Sequence, residues 1–99
     1  MKYKLLQIKD FKNNNYMFMN YDWAKEKGFK LEDYEVVYEG EYFEVANDVI
    51  VLIILEDLFY TFNVNRPKDF RGHSMSVSDV IYLDGKYYYT DSIGFKEVN

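Results

Sequence analysis

The alternation of apolar and polar residues predicts strands in three regions of the chain. The first covers Tyr3 to Lys9, where neither face is cleanly apolar, and the second covers Tyr34 to Glu39. The third consists of two β-forming runs joined by Asp84-Gly85, the dipeptide best suited to a two-residue type I′ turn. Because an isolated hairpin is only marginally stable in water, this one is expected to complete a larger sheet.

The predicted turn also sets the register of the two strands that it joins. A two-residue loop brings aromatic and β-branched side chains opposite one another, where they pack across the strands. The predicted pairs are Val80 with Tyr89, Ile81 with Tyr88, and Tyr82 with Tyr87. These contacts are expected to make the hairpin the organising element of the sheet.

In the second predicted strand, strict alternation assigns each side chain to one of two faces. The half-buried face is predicted to carry Tyr34, Val36 and Tyr38. Glu35 and Glu39 then share the other face, and Glu41 continues that face if the strand persists beyond Gly40. Residues 40–47 fit either a continuation of this strand or a loop.

A short helix is predicted between residues 20 and 28. Asn20 can cap the free amides at its start, and Asp22 suits the positive end of the helix. Lys25 and Lys27 suit the negative end, and Gly28 can adopt the left-handed conformation that stops a helix.

Residues 48–63 support two alternatives. Val49 to Ile54 has high strand propensity, whereas the apolar positions of the whole segment follow the three-four spacing of a helix. Those positions are Leu52, Leu55, Leu58, Phe59 and Phe62. We predict a helix, capped by Asn47 or Asp48, because the segment is longer than an ordinary strand.

The predicted helix is expected to bury Leu55, Leu58, Phe59 and Phe62 on one face and to expose Glu56. Its first turns are apolar all round, which predicts either deep burial or an exposed apolar patch that contacts a partner.

The predicted order is therefore strand, helix, strand, helix, hairpin. Such an order indicates an α+β domain with one small sheet and with both helices packed on one face. The length of 99 residues suits a single domain over residues 1–99.

Charge is distributed unevenly along the chain, whose formal net charge is −5. Residues 1–30 carry seven lysines against three acids, whereas residues 31–65 carry nine acids and no lysine or arginine. A block of one sign points to a basic protein partner rather than to nucleic acid, and ordinary solubility is the alternative explanation.

The composition also indicates the cellular compartment in which the protein is expected. The chain has no cysteine, which excludes disulfides and thiolate metal sites and suits a reducing cytoplasm. Its amino-terminal residues lack the layout of a signal peptide, and its longest apolar run, residues 49–55, is too short to span a bilayer. We therefore expect a cytoplasmic protein without membrane contact.

Candidate catalytic chemistry is confined to His73, the only histidine, which lies near Ser74 and Asp79. Adjacent side chains on an extended backbone point apart and no oxyanion-hole motif accompanies them, so a catalytic triad is disfavoured. Hydrogen bonding to local backbone is the preferred interpretation for Ser74, Ser76, Ser78 and Asp79. No metal or cofactor motif is present, and the eleven tyrosines are best explained by sheet packing.

Several motifs together resemble the YodL-like domain family. The two most specific are Gly72-His73-Ser74-Met75-Ser76-Val77-Ser78-Asp79-Val80 and Tyr88-Tyr89-Thr90-Asp91-Ser92-Ile93-Gly94-Phe95. The others are Asn20-Tyr21-Asp22-Trp23, Tyr34-Glu35-Val36-Val37-Tyr38-Glu39-Gly40, Leu55-Glu56-Asp57-Leu58-Phe59, Phe62-Asn63 and Arg66-Pro67-Lys68-Asp69-Phe70. We expect a structural role for Gly72, Ser74, Ser76, Ser78, Asp79, Asp84, Gly85, Asp91 and Gly94.

The resemblance implies an accessory or interaction module from the mobile genetic elements of low-GC Gram-positive bacteria. It brings no established catalytic residue, so we assign none. The run from Val49 to Ile54 is more apolar than the family pattern leads us to expect before Leu55-Glu56-Asp57.

The functional expectation combines this resemblance with the acidic block. We expect a non-enzymatic inhibitor of a host defence nuclease, of the anti-CRISPR or anti-restriction type, that uses an acidic surface. The alternative is an adaptor for the element's own conjugation or replication proteins. The candidate partner-binding residues are Glu32, Asp33, Glu35, Glu39, Glu41 and Glu44. No cofactor, metal or direct nucleic-acid contact is expected, and the chain is expected to be a monomer or a weak homodimer.

Overall fold

A computed structural model describes residues 1–42 and 48–98. Five antiparallel strands form one open sheet in the order β2-β1-β3-β4-β5. The strands are β1 Lys2–Ile8, β2 Tyr34–Glu41, β3 Val80–Leu83, β4 Lys86–Thr90 and β5 Phe95–Val98. The helices are α1 Tyr21–Glu26 and α2 Asp48–Val64, and a 3-10 turn covers Leu31–Asp33. The α+β class and the single sheet are confirmed, and β5 is a strand that the sequence pattern did not predict.

The two helices pack on opposite faces of the sheet, which corrects the expectation that both lie on one face. Leu5 of β1 belongs to the core cluster that includes Leu58 of α2, whereas the adjacent Leu6 belongs to the cluster that includes Ala24 of α1. Neighbouring strand residues point to opposite faces. Because β1 carries large apolar side chains on both faces, both need a cover. We call these the α2 face and the α1 face.

The hairpin has the predicted turn and register. Asp84 and Gly85 both have positive φ angles, of 51° and 88°, as a type I′ turn requires. The observed pairs are Val80 with Tyr89, Ile81 with Tyr88, and Tyr82 with Tyr87. The local turn chemistry therefore determines how β3 and β4 meet.

A β-bulge interrupts the alternation of β2. Leu5 pairs with Tyr38 and Leu6 pairs with Val36, so Val37 is an additional residue on the β2 side. Tyr38 consequently packs against the core on the α2 face, whereas Val36 points to the α1 face. The predicted common face for Tyr34, Val36 and Tyr38 is wrong for this reason.

The same bulge separates the glutamates of β2. Glu35 pairs with Gln7 and Glu39 pairs with Lys4, and these two β1 residues lie on opposite faces. The prediction that Glu35 and Glu39 share a face is therefore wrong. The strand does persist beyond Gly40, and Glu41 shares the α1 face with Glu39. Residues 43–47, whose conformation the sequence left open, lie outside the described residues.

Helix α2 starts at Asp48, which decides between the two alternatives for this segment in favour of the helix. Leu55, Leu58 and Phe62 are buried and Phe59 is partly buried, as predicted, and Glu56 is exposed. Leu52, the first of the apolar positions with three-four spacing, is 48% exposed, so the start of the helix carries an exposed apolar side chain rather than being deeply buried all round. Ile54 is buried, and it lies four residues before Leu58 and eight before Phe62, on the same buried face of the helix.

Helix α1 begins and ends as its sequence predicts. The Asn20 side chain accepts a 3.0 Å hydrogen bond from the Trp23 amide, which satisfies one of the free donors at the helix start. Gly28 follows the helix with a φ of 93°, a conformation that favours glycine.

Candidate functional site

A buried polar cluster lies where the loop of residues 71–79 enters β3. Its centre is Asp79, whose residue surface is 1% exposed. Gln7, also buried, reaches this carboxyl from the carboxyl-terminal end of β1. The cluster therefore joins the loop to a strand that lies more than 60 residues earlier in the chain.

The Asp79 carboxyl accepts two hydrogen bonds on the same oxygen. Gln7 Nε2 and the Ser76 amide each lie 3.0 Å from Asp79 Oδ2. Burial nevertheless raises the pKa of the Asp79 carboxyl to about 7, because desolvation outweighs these hydrogen bonds and the attraction of His73. Asp79 is therefore a carboxyl that changes its protonation state near neutral pH.

Gln7 also holds the backbone of the loop. Its Nε2 donates to the His73 carbonyl at 2.8 Å, and its Oε1 accepts from the His73 amide at 3.2 Å. A side chain at Gly72 would bring a Cβ to 2.3 Å from Gln7 Oε1. Glycine at position 72 therefore permits the close approach of the loop to Gln7, which a side chain there would force to change.

The His73 ring has both nitrogens turned towards protein oxygens. Nδ1 lies 2.7 Å from the Ser74 carbonyl, and Nε2 lies 3.9 Å from Asp79 Oδ1. In a hydrolytic triad one ring nitrogen must instead face a serine hydroxyl. This conformation therefore brings His73 and Asp79 together without the geometry of a triad.

Ser76 and Ser78 of the loop make hydrogen bonds of different kinds. Ser76 Oγ donates to the Ser74 carbonyl at 3.1 Å, and the Ser76 amide donates to Asp79, so local backbone bonding is confirmed for Ser76 and Asp79. Ser78 Oγ instead accepts a 2.9 Å hydrogen bond from the Phe18 amide, 60 residues away. Ser78 therefore ties β3 to the loop that precedes α1.

Two residues with unusual backbone conformations meet at this point. Ser78 has a φ of 87° although it is fully buried, and Phe18 has a φ of 68°. Phe18 is 61% exposed, and its ring centroid lies 6.4 Å from that of His73 in an edge-on arrangement. Backbone strain of this kind persists only where the surrounding contacts enforce it.

The second predicted motif anchors α1. Asp91 Oδ1 accepts a 3.1 Å hydrogen bond from the Tyr21 amide, and the Asp91 amide donates to the Gly94 carbonyl. Gly94 has a φ of 74°, which favours glycine. Asp91 therefore caps the start of α1 from the turn between β4 and β5.

Gln7 is the site residue that the sequence analysis missed. Alternation places Gln7 on the same face of β1 as Tyr3 and Leu5, both of which are buried. A polar side chain at a core-facing position requires a buried hydrogen-bond partner. That single irregularity is the sequence signal that indicates a polar cluster under the loop.

The family model for the YodL-like domain matches residues 2–99, which include every residue of the polar cluster. The chain belongs to this family. No curated protein and no solved structure matches the chain.

The six carboxylates proposed from the sequence as a partner-binding set do not form one surface of this YodL-like domain. Glu32 is exposed in the 3-10 turn, Glu35 lies on the α2 face, and Glu39 and Glu41 lie on the α1 face. Glu44 lies outside the described residues.

Three of these carboxylates have partners within the fold. Asp33 Oδ2 accepts a 2.8 Å hydrogen bond from the Tyr16 hydroxyl, and Glu39 Oε1 lies 3.8 Å from Lys4 Nζ. Glu41 Oε2 lies 3.2 Å from the amino-terminal nitrogen. The negative charge of Glu39 and Glu41 is thus partly compensated within the YodL-like domain itself, whereas Asp33 is bonded to a neutral hydroxyl.

A second surface of the YodL-like domain lies on the side of α2 that faces away from the sheet. Four large apolar side chains are exposed there, by 48% to 66%, and two carboxylates lie between them. This outer face of α2 consists of Leu52, Ile53, Glu56, Asp57, Tyr60 and Val64. Positions 52, 56, 60 and 64 follow the four-residue spacing of one helix face, which is the signal that the sequence analysis did not use.

The residues that the structure describes contain neither a metal-binding cluster nor a membrane-spanning helix. Residues 1–42 and 48–98 contain no group of three or more His, Cys, Asp or Glu side chains placed to hold a metal ion. Among the same residues, no helix combines the length and the apolar content that crossing a bilayer requires.

Proposed function

We propose that this YodL-like domain is a non-enzymatic protein-interaction module that docks through the outer face of α2. The observation that carries the proposal is the exposure of Leu52, Ile53, Tyr60 and Val64 on one side of a single helix. Contiguous apolar side chains at a surface mark contact sites for other proteins. The family match covers the whole fold that presents this helix.

The charge of the helix indicates the chemistry of the partner. Glu56 and Asp57 lie among the apolar side chains, and residues 31–65 contain no lysine or arginine. A complementary surface is an apolar patch flanked by basic side chains. The apolar contacts supply most of the affinity, whereas the carboxylates steer the encounter.

The first candidate partner is a host defence nuclease of the CRISPR or restriction type, inhibited in the cytoplasm on behalf of a mobile genetic element. Nucleases bind nucleic acid through basic surfaces, which suit an acidic ligand. The exposed Glu32 and Glu35 add negative charge to this encounter, whereas Glu39 and Glu41 already have cationic partners in the fold.

The second candidate is an adaptor for the element's own conjugation or replication proteins. The apolar character of the α2 surface favours this role, because an adaptor needs a stable contact more than it needs imitation of nucleic-acid charge. The two candidates use the same helix face and differ in the partner.

The test is a plasmid-survival assay in cells with an active CRISPR or restriction system. The wild-type protein is expected to raise survival, and the variant I53A/Y60A is expected to lose this effect while it remains folded. W23A is the matched control, because Trp23 is an equally exposed aromatic residue on α1. Equal survival with I53A/Y60A and wild type would contradict docking through α2.

If the wild-type protein gives no protection, the nuclease-inhibitor proposal fails. Binding to purified conjugation or replication proteins of the element, abolished by I53A/Y60A and kept by W23A, then supports the adaptor role. Absence of that binding contradicts the adaptor role as well.

The acidic block is tested separately by association kinetics with the partner. The variant E32K/E35K is expected to slow association and to leave dissociation nearly unchanged, because exposed charges act at long range. The wild-type association rate should also fall with added salt, since screening is strong beyond about 8–10 Å at physiological ionic strength. An unchanged rate in both experiments removes the acidic block from the mechanism.

A further inference from the structure

The loop of residues 71–79 is fastened to the sheet by a small set of polar contacts. The His73 backbone exchanges two hydrogen bonds with the Gln7 side chain, and the Ser76 amide donates to Asp79 Oδ2. Met75, in the middle of the loop, is 2% exposed and belongs to the core cluster on the α2 face. The fastening therefore keeps part of the core covered.

The hydrogen bonds of Gln7 determine which nitrogen of His73 carries a hydrogen. The two hydrogens on Gln7 Nε2 go to the His73 carbonyl at 2.8 Å and to Asp79 Oδ2 at 3.0 Å. Gln7 therefore has none left for His73 Nδ1, which lies 3.3 Å away. Nδ1 must itself carry a hydrogen, which it donates to the Ser74 carbonyl at 2.7 Å.

With a hydrogen on Nδ1, one further proton decides whether His73 Nε2 and the Asp79 carboxyl repel or attract each other. In the neutral imidazole with a hydrogen on Nδ1, Nε2 presents a lone pair towards Asp79 Oδ1 at 3.9 Å. A lone pair and a buried carboxylate repel each other. A proton on either Nε2 or Asp79 turns the repulsion into attraction.

We propose that the 71–79 loop is a proton-locked latch: it stays closed while His73 and Asp79 hold a proton between them, and it opens when that proton leaves. Opening exposes Met75 and breaks the contacts of the loop with Gln7. The latch concerns a different part of the molecule from the outer face of α2, and it does not depend on the proposed function.

The direction of the pH dependence follows from burial. Burial raises the pKa of Asp79 to about 7, whereas an exposed aspartate in the open loop has a pKa of about 3.9. The closed loop therefore binds the proton more tightly than the open loop does. Its stability is complete at low pH and is lost as the pH rises through about 7.

The other groups that face Asp79 do not titrate in this range. The buried phenols of Tyr34, from β2, and Tyr89, from β4, have raised pKa values, first because of burial and in part because of the Asp79 charge. Gln7 and Ser76 carry no titratable group. His73 and Asp79 are therefore the pair on which the latch depends.

The test measures hydrogen-exchange protection factors of the His73 and Ser76 amides, relative to the Ile81 amide of β3, at pH 6 and pH 8.5. Both amides are bonded only while the latch is closed. After correction for intrinsic exchange, their protection factors are expected to fall about tenfold over this interval. The reason is that pH 6 lies one unit below the Asp79 pKa of about 7, so proton binding favours the closed loop about tenfold more at pH 6 than at pH 8.5. Protection independent of pH would overturn the proposal.

The variant D79N separates the latch from general loosening. An asparagine keeps an oxygen for Gln7 and Ser76 and offers an N–H to His73 Nε2, so its protection factors are expected not to depend on pH. D84N is the matched control, because Asp84 lies in the exposed hairpin turn. The control should behave as wild type, and a D79N profile equal to wild type contradicts the proposal.

A spectroscopic measurement on the wild-type protein covers the case in which D79N does not fold. The ¹⁵N shifts of the His73 ring should show a hydrogen on Nδ1 at pH 6, where the latch is closed, and the Asp79 carboxyl carbon should titrate near pH 7 rather than near pH 4. A His73 ring with its hydrogen on Nε2 alone at pH 6, or titration of Asp79 near pH 4, would overturn the latch.

Discussion

The Tyr34 hydroxyl donates a 2.6 Å hydrogen bond to the carbonyl of Ser78, a residue 44 positions later in the chain. Both residues are buried, and Ser78 has a φ of 87°. The bond joins the edge strand β2 to a strained backbone position. Removing it therefore tests the fold at a single contact.

We expect Y34F to lower the free energy of unfolding by about 1–3 kcal/mol, because it leaves a buried carbonyl without this donor. Urea denaturation measures the effect, and the slope of the unfolding free energy against urea concentration should be the same for Y34F and wild type. The control is Y60F, whose hydroxyl is on the exposed outer face of α2, and whose stability should match wild type within about 0.5 kcal/mol. Equal stability of Y34F and wild type would show that the bond contributes nothing.

The close approach of the 71–79 loop to Gln7 predicts a large effect of G72A. The added Cβ would lie 2.3 Å from Gln7 Oε1 and 2.9 Å from the Phe70 ring, so the loop has to shift, at a cost of about 1–3 kcal/mol. The comparison is G28A, where no atom lies within 4 Å of the new Cβ and only the positive φ is costly, by about 1 kcal/mol. A smaller loss for G72A than for G28A would contradict the steric argument.

The type I′ turn predicts the outcome of G85V. Valine resists the φ of 88° that Gly85 adopts, so the substitution is expected to destabilise the domain by about 1–3 kcal/mol in thermal or urea unfolding. D84N keeps a residue that tolerates positive φ and should remain close to wild type. Wild-type stability of G85V would be incompatible with this turn.

The packing of α2 predicts a loss of about 2–5 kcal/mol for L58A, since Leu58 is 3% exposed within the core on the α2 face. L52A on the same helix removes an exposed side chain and should cost less than about 1 kcal/mol. Similar losses for the two variants would mean that α2 does not present the faces described above.

The elements that could be predicted from the sequence are those that local chemistry determines. Asp84-Gly85 specifies both a turn and a register, and Asn20 and Gly28 mark the ends of α1. Helix α2 could be distinguished from a strand by its length alone. In each case the deciding interactions lie within a few residues of one another.

The features that the sequence did not predict depend on distant partners. The bulge at Val37 arises where β2 pairs with β1, and nothing in the sequence around Val37 marks an additional residue. Strand β5 has only four residues, two of them charged, and becomes a strand by pairing with β4. The pairing of Gln7 with Asp79 spans 72 positions.

The place of β1 between β2 and β3 has a consequence for biosynthesis. Residues 2–8 are made early, yet their two neighbours in the sheet are residues 34–41 and 80–83. A nascent chain on the ribosome therefore keeps one long edge of β1 unpaired until most of the domain has emerged. Such long-range pairing raises the contact order, so we expect slow folding and a need for chaperone protection of β1 during synthesis.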